Sequence, residues 1–219
     1  MGGKDKRYWL NKMTKKRRTH GSQGRQAGKK SVQMGAVRII GGDWRGRKLP
    51  VLDAQGLRPT SDRVRETLFN WLQFDVAGAH CLDVFAGSGG LGFEALSRGA
   101  AAVTFLELSK SNAEQLKQNV ATLLAKNAEV VQADSLVWLE QPARQPFDVV
   151  FLDPPFHQGL MQPAVDKLFA GQYLKNDQAW LYLEQEKALD WPTLPDGWVC
   201  HREKTTPEVR YGLFCISGH

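Results

Sequence analysis

The chain's 219 residues, 42% of them hydrophobic, suffice for one sizeable core and exclude a disordered protein. The formal charge of +6 hides an asymmetry: residues 1–48 hold 15 Lys and Arg against Asp5 and Asp43, a local +13 that leaves −7 for the remainder. No apolar run approaches the ~20 residues of a membrane span, and the N-terminus lacks the apolar stretch of a signal peptide, which argues against a membrane protein and for the cytoplasm.

A polycation at the front points to a phosphate-rich partner, because Lys and Arg release condensed counterions when they bind a nucleic acid; a solubilising tail is the plainer alternative. Residues 1–35 show no sustained period and are expected to form a disordered basic tail. Residues 36–58 follow as a basic β-hairpin extension, two short strand-like runs joined by a Gly-rich turn around Gly41-Gly42-Asp43. Next, Thr60, Ser61 or Asp62 can cap a helix in which Val64, Leu68, Trp71 and Leu72 recur at helical spacing.

From residue 80 the pattern becomes strand, loop, helix, repeated. Apolar runs at 80–86, 102–108, 129–133 and 147–152 alternate with helix-compatible segments at 91–97, 109–126, 136–140 and 160–170. Such alternation implies right-handed crossovers and a doubly wound α/β domain, a mostly parallel sheet with helices on both faces, placed here at 59–219. Strand candidates at 179–184, 198–203 and 209–216 have only loops between them, so the sheet should end in an antiparallel hairpin. Cys81, Cys200 and Cys215, odd in number and set in apolar sequence, read as reduced core cysteines.

Between Leu82 and Gly92 a strand runs through a Gly-rich turn into a helix, and Gly87, Gly89 and Gly92 satisfy GxGxxG, a weak dinucleotide signal when alone. Its neighbours change the meaning. Asp83, just before the glycines, would repel a pyrophosphate but stabilise an ammonium or sulfonium ligand. Glu107 ends the second strand, placed to accept the hydroxyls of a ribose. Asp134-Ser135 ends the third, where it could reach an adenine edge, although Asp134 could equally cap the following helix. Together these acids describe a pocket for an adenosine with a cationic amino-acid tail, as in S-adenosylmethionine; the candidate cofactor residues are Asp83, Phe85, Gly87, Ser88, Gly89, Glu107, Asp134 and Ser135.

At the end of the fourth strand stands Asp153-Pro154-Pro155-Phe156. Methyl transfer to an exocyclic amine needs acceptors that orient the N–H₂, and the Asp153 carboxylate with the Pro154 carbonyl can supply two. The prolines stiffen the loop, and Phe156 can stack on an extruded base, a contact worth roughly 1–3 kcal/mol. Asp153, Pro154 and Phe156 are therefore the candidate catalytic residues, with Arg38, Arg45, Arg47, Lys48, Arg58 and Arg63 as candidate contacts to nucleic-acid phosphates.

Four motifs in order, Arg-Ile-Ile-Gly-Gly-x-x-Arg-Gly-Arg, Arg-Pro-Thr-x-Asp-Arg-Val-Arg-Glu, Asp-x-Phe-Ala-Gly-Ser-Gly and Asp-Pro-Pro-Phe, resemble the RsmD family of bacterial 16S rRNA (guanine-N2)-methyltransferases over residues 37–219. The resemblance implies a Rossmann-like class I methyltransferase fold with a seven-stranded sheet, and methylation of one guanine N2 during 30S subunit assembly. It also implies Asp153, Pro154 and Phe156 at the target amine and Asp83, Gly87, Glu107 and Asp134 at the cofactor. Gly90 departs from the family pattern, where many relatives carry Ala.

Three rivals stand beside it: an N6-adenine DNA methyltransferase, since the same corner serves several exocyclic amines; an NAD-dependent oxidoreductase on the glycine loop; and a non-catalytic RNA-binding assembly factor. His80, His157 and His201 lack partners at ligand spacing, so no metal is expected. A monomer is assumed.

Overall fold

The computed structural model describes residues 34–52, 61–175 and 178–218. The basic stretch 1–33 and Arg58 lie outside the described residues. Of the three candidate caps, Ser61 is used: its Oγ accepts from Val64 N at 3.3 Å and opens α1, Asp62–Trp71, whose stripe of Val64, Leu68 and Phe69 is buried.

The chain then alternates β3 His80–Asp83, α2 Gly90–Ser97, β4 Ala102–Glu107, α3 Lys110–Leu123, β5 Ala128–Gln132, α4 Ser135–Trp138, β6 Val149–Leu152 and α5 Met161–Ala170, before β7 Trp180–Glu186, β8 Trp198–Thr205 and β9 Val209–Ile216. The seven strands order as β5-β4-β3-β6-β7-β9-β8, parallel from β5 to β7 and antiparallel through β9 and β8. This is the doubly wound sheet with a terminal antiparallel hairpin that the alternation implied. The strands at 80–86 and 147–152 are shorter than their apolar runs, because Phe147 makes only an isolated bridge to Leu174 and the chain beyond Asp83 turns into the glycine loop.

Side-chain alternation divides the core in two. Cys81, Phe105, Val149 and Phe151 face the layer that contains α1 and α2, whereas Leu82, Leu106, Val150 and Leu152 face α5 through Ala164, Val165 and Leu168. Every residue of β6 is buried, as a central strand covered on both faces requires. Cys81 and Cys215 belong to this core, but Cys200 does not. It lies exposed on β8, an edge strand with one neighbour, where an apolar residue gains little burial.

Ahead of α1, β1 Met34–Arg38 and β2 Lys48–Leu52 pair antiparallel as a separate two-stranded sheet. Ile39 and Leu49 plug into the core on the α1 side. The turn is fastened to α2: the fully buried carboxylate of Glu94 accepts from Ile40 N and Gly41 N, each at 2.8 Å, and from Arg98 Nε at 2.8 Å. Ser97 Oγ accepts from Trp44 N and donates to the Gly41 carbonyl. A buried carboxylate is tolerated here because three donors replace its water.

Candidate active site

The order in which strands are added reverses between β3 and β6, adjacent parallel strands whose connections leave to opposite sides. Open α/β sheets bind ligands at the carboxyl end of such a switch point. Both sequence motifs meet there, the glycine loop after β3 and Asp153-Pro154-Pro155-Phe156 after β6.

The loop is shaped by close approaches. Gly89 has φ 76°, and a Cβ there would meet the Phe93 ring at 2.5 Å and Leu116 at 2.6 Å. At Gly92 a Cβ would strike Phe105 at 2.2 Å, so the third glycine lets α2 lie directly on β4. Asp83, only 2% exposed, accepts from Gly92 N at 3.1 Å. Burial pushes its carboxyl up to about 7; the Gly92 N–H opposes this and the Glu107 charge adds to it. Among the described residues Asp83 has no ion-pair partner.

Glu107 is nearly buried and faces the same loop, its two oxygens accepting from Gly87 N at 2.9 Å and Ser109 N at 2.7 Å. Burial raises its pKa, and these two N–H groups, with Asn112, hold it back. Directly after it, Leu108 is 67% exposed, and Val137 on α4 is 60% exposed. These two apolar side chains, following β4 and β5, carry no signal in periodicity and are absent from the candidates drawn from sequence.

The remaining cofactor candidates have structural duties. Asp134 caps α4 with Oδ1, accepting from Leu136 N at 2.9 Å and Val137 N at 3.3 Å, so the capping alternative is realised. Ser135 is buried and its Oγ donates to the Val84 carbonyl, tying α4 to the end of β3 instead of presenting a hydroxyl to solvent. Phe85 is half-buried against the α5-side core, and Ser88 lies in the turn itself.

At the second corner Pro154 is buried, Asp153 and Phe156 are half-buried and Pro155 is exposed. Phe156 leans on the α1-side core. The loop is then pinned to β7, because Glu186 Oε1 accepts from His157 N at 2.6 Å while His157 holds φ 63°.

The basic candidates divide. Arg45, Lys48 and Arg63 are exposed. Arg38 instead pairs with Asp62 at 2.9 Å, and Arg47 donates to the Thr122 carbonyl at 3.3 Å. Although burial pushes Asp62 up, hydrogen bonds from Arg38 and Arg65 hold its carboxylate below its ordinary value. Arg65, absent from the candidates, is 1% exposed and donates to Asp62 Oδ1 at 2.6 Å, the Arg38 carbonyl at 2.8 Å and the Gly90 carbonyl at 3.4 Å, joining hairpin, α1 and glycine loop. In the sequence Arg65 stands in the second of the four motifs, beside Val64 on the buried stripe, and neither place discloses these partners.

Comparisons with known proteins bear on the family and the fold. The family described as conserved hypothetical protein 95 matches residues 37–215. The chain is 56% identical over 184 residues to ribosomal RNA small subunit methyltransferase D of Haemophilus influenzae, covering 82% of this chain and 94% of that one. The chain belongs to the methyltransferase D family. The Escherichia coli member is 51% identical over 180 residues, 82% of this chain and 90% of its own length. A solved structure, the putative methyltransferase yhhF from Escherichia coli, superposes with a TM-score of 0.77 at 46% identity over 84% of this chain and all 100% of that one. Methyltransferase D membership and the fold are thus as the four motifs implied. Among the described residues no group of three or more His, Cys, Asp or Glu side chains could hold a metal ion, and no helix is long and apolar enough to cross a membrane.

Proposed function

We propose that this chain methylates the exocyclic N2 of a guanine in 16S rRNA, with S-adenosylmethionine as donor, on the 30S subunit or an assembly intermediate. The observation that carries the reading is two complementary corners at the carboxyl ends of neighbouring parallel strands: the buried carboxyl of Asp83 at the end of β3, with no cation beside it among the described residues, and the Asp153-Pro154 acceptors directly after β6. A buried carboxyl with a raised pKa is costly unless a cation arrives to share its site, and a sulfonium or α-ammonium group fits that need. The small-subunit RNA target is supported by the names of the relatives, and the exposed Arg45, Lys48 and Arg63 supply cations for phosphates.

When bound, the cofactor supplies an electrophilic methyl group. Asp83 then favours the cationic end, Glu107 faces the ribose, and the apolar side chains of Leu108 and Val137 offer walls to the adenine, while Asp134 and Ser135 keep the strand ends in place. At the other corner Asp153 and the Pro154 carbonyl accept the two amine hydrogens, which turns the nitrogen lone pair toward the methyl carbon. With the cofactor bound, the amine would take up the methyl group and Asp153 would receive the proton that the nitrogen gives up. The exposed side of Phe156 stacks on the extruded base.

Tritium transfer from labelled cofactor tests the proposal. Label should enter 30S particles and appear, after digestion, as N2-methylguanosine. Label in duplex DNA as N6-methyladenine, or none in either, would overturn it.

A further inference from the structure

Glu184 and Tyr182 are buried, polar and unused by the reaction as described. Glu184 is 5% exposed, and its Oε2 accepts from the Tyr182 hydroxyl at 2.7 Å. Strand register locates the pair. Phe151 and Leu152 of β6 lie opposite Tyr182 and Leu183 of β7, so one step further along the parallel strands Glu184 comes level with Asp153. Phe151 and Tyr182 share the α1-side core, their rings edge to face at 6.4 Å, and alternation puts Asp153 and Glu184 on that same side.

From these positions we propose that Tyr182 and Glu184 are a positioning pair for Asp153, fixing the direction in which its carboxylate meets the target amine; the inference rests on the reading of that corner given above. A buried carboxylate is expensive, and a fold that needed only packing at this point would do better with an apolar residue. Glu184 holds the phenol in one orientation, and neighbouring rings hold it from the sides: Tyr211, opposite Glu184 on β9, lies 6.4 Å from Tyr182 and is itself stacked on Trp71 at 5.6 Å. The phenol stays protonated, its pKa raised first by burial and then by the charges of Glu184 and Asp153. With the Glu184 charge behind the phenol, like-charge repulsion disfavours an Asp153 carboxylate turned into the sheet interior.

The variants Glu184→Gln and Tyr182→Phe keep the shape of the pair and remove its charge or its bond. Methyl transfer to 30S particles should lose kcat by roughly 10- to 100-fold, the scale of a small misplacement of a reacting group. The KM for 30S particles and the Kd for S-adenosylmethionine should stay within about twofold, as expected when only the transition state is affected. The acid limb of the kcat–pH profile should move in Glu184→Gln. Leu168→Ala, a truncation in the other core cluster, serves as the control for instability: its kcat per folded molecule and its pH profile should match the wild type. Variants whose kcat per folded molecule and pH profile also match the wild type would overturn the pair alone. A wild type that transfers no methyl to 30S particles would overturn the reading of the corner and the pair with it.

Discussion

Replacing Asp83 by Asn should make the ligand-free protein more stable at alkaline pH while it weakens the binding of a cationic ligand. The buried carboxyl has its pKa raised from 3.8 to about 7, so between these values the folded chain holds a proton that the unfolded chain has released. Wild-type stability from this group is therefore fully present below about pH 4 and is lost as pH rises to about 7. At ~1.4 kcal/mol per unit, the loss is about 4 kcal/mol at most. Asn keeps an acceptor for Gly92 N and does not titrate, so the variant should lack this decline. Denaturant unfolding at pH 5, 6, 7 and 8 should show the two proteins diverging steadily, with the Asp83→Asn variant ahead by a few kcal/mol at pH 8. Calorimetry at pH 8 should show the opposite order for S-adenosylmethionine, with the wild type binding more tightly and its affinity falling as the solution is acidified below pH 7. A pH-independent difference in stability, or equal affinities, would refute the assignment of Asp83 as a carboxyl kept buried for a cation.

Asp153→Ala should abolish most methyl transfer yet leave calorimetric cofactor binding intact, since the residue follows β6 and does not belong to the glycine loop after β3. Glu94→Ala strips three donors of their acceptor and should cost about 3–5 kcal/mol by denaturant unfolding; a loss below about 1 kcal/mol would refute the anchoring role. A Cβ on Gly90 would sit 3.5 Å from Arg65 Cδ, ordinary contact, so Gly90→Ala should leave activity unchanged and gain up to about 1 kcal/mol of helix stability. Removing Arg45 and Lys48 together should raise the KM for 30S particles and flatten its salt dependence by about two charges, with kcat retained.

Periodicity and punctuation locate every strand of the seven-stranded sheet and the helices between them, because central strands buried on both faces must be apolar runs and helices covering them must be striped. The two chemical corners are legible for a related reason: carboxylates directly after buried strands fall at one edge of a parallel sheet whatever its order. What residue types do not disclose is which lone pairs are already engaged. Asp134 and Ser135 carry the right groups, but the cap of α4 and the Val84 carbonyl claim them. Arg38 looks like a phosphate ligand until Asp62, distant by 24 residues, is found beside it. Glu94 and Glu184 are invisible for the converse reason, and so is the role of Arg65, since charged residues inside apolar segments are ordinarily assigned to solvent, and only their hydrogen-bond partners make their burial tolerable.

The attachment of the hairpin bears on how this protein can vary. Helix α2 is eight residues long and buried at all eight; one end shapes the glycine loop and the other clasps the hairpin through Glu94 and Ser97. Removing the hairpin would take Ile39 and Leu49 out of the core and uncover the Glu94 carboxylate in one stroke, and transplanting it would strand its backbone N–H groups. Charges at its tip are open to substitution in a lineage adapting to a different target surface. The stem is not, because the domain it serves has no finished interior without it.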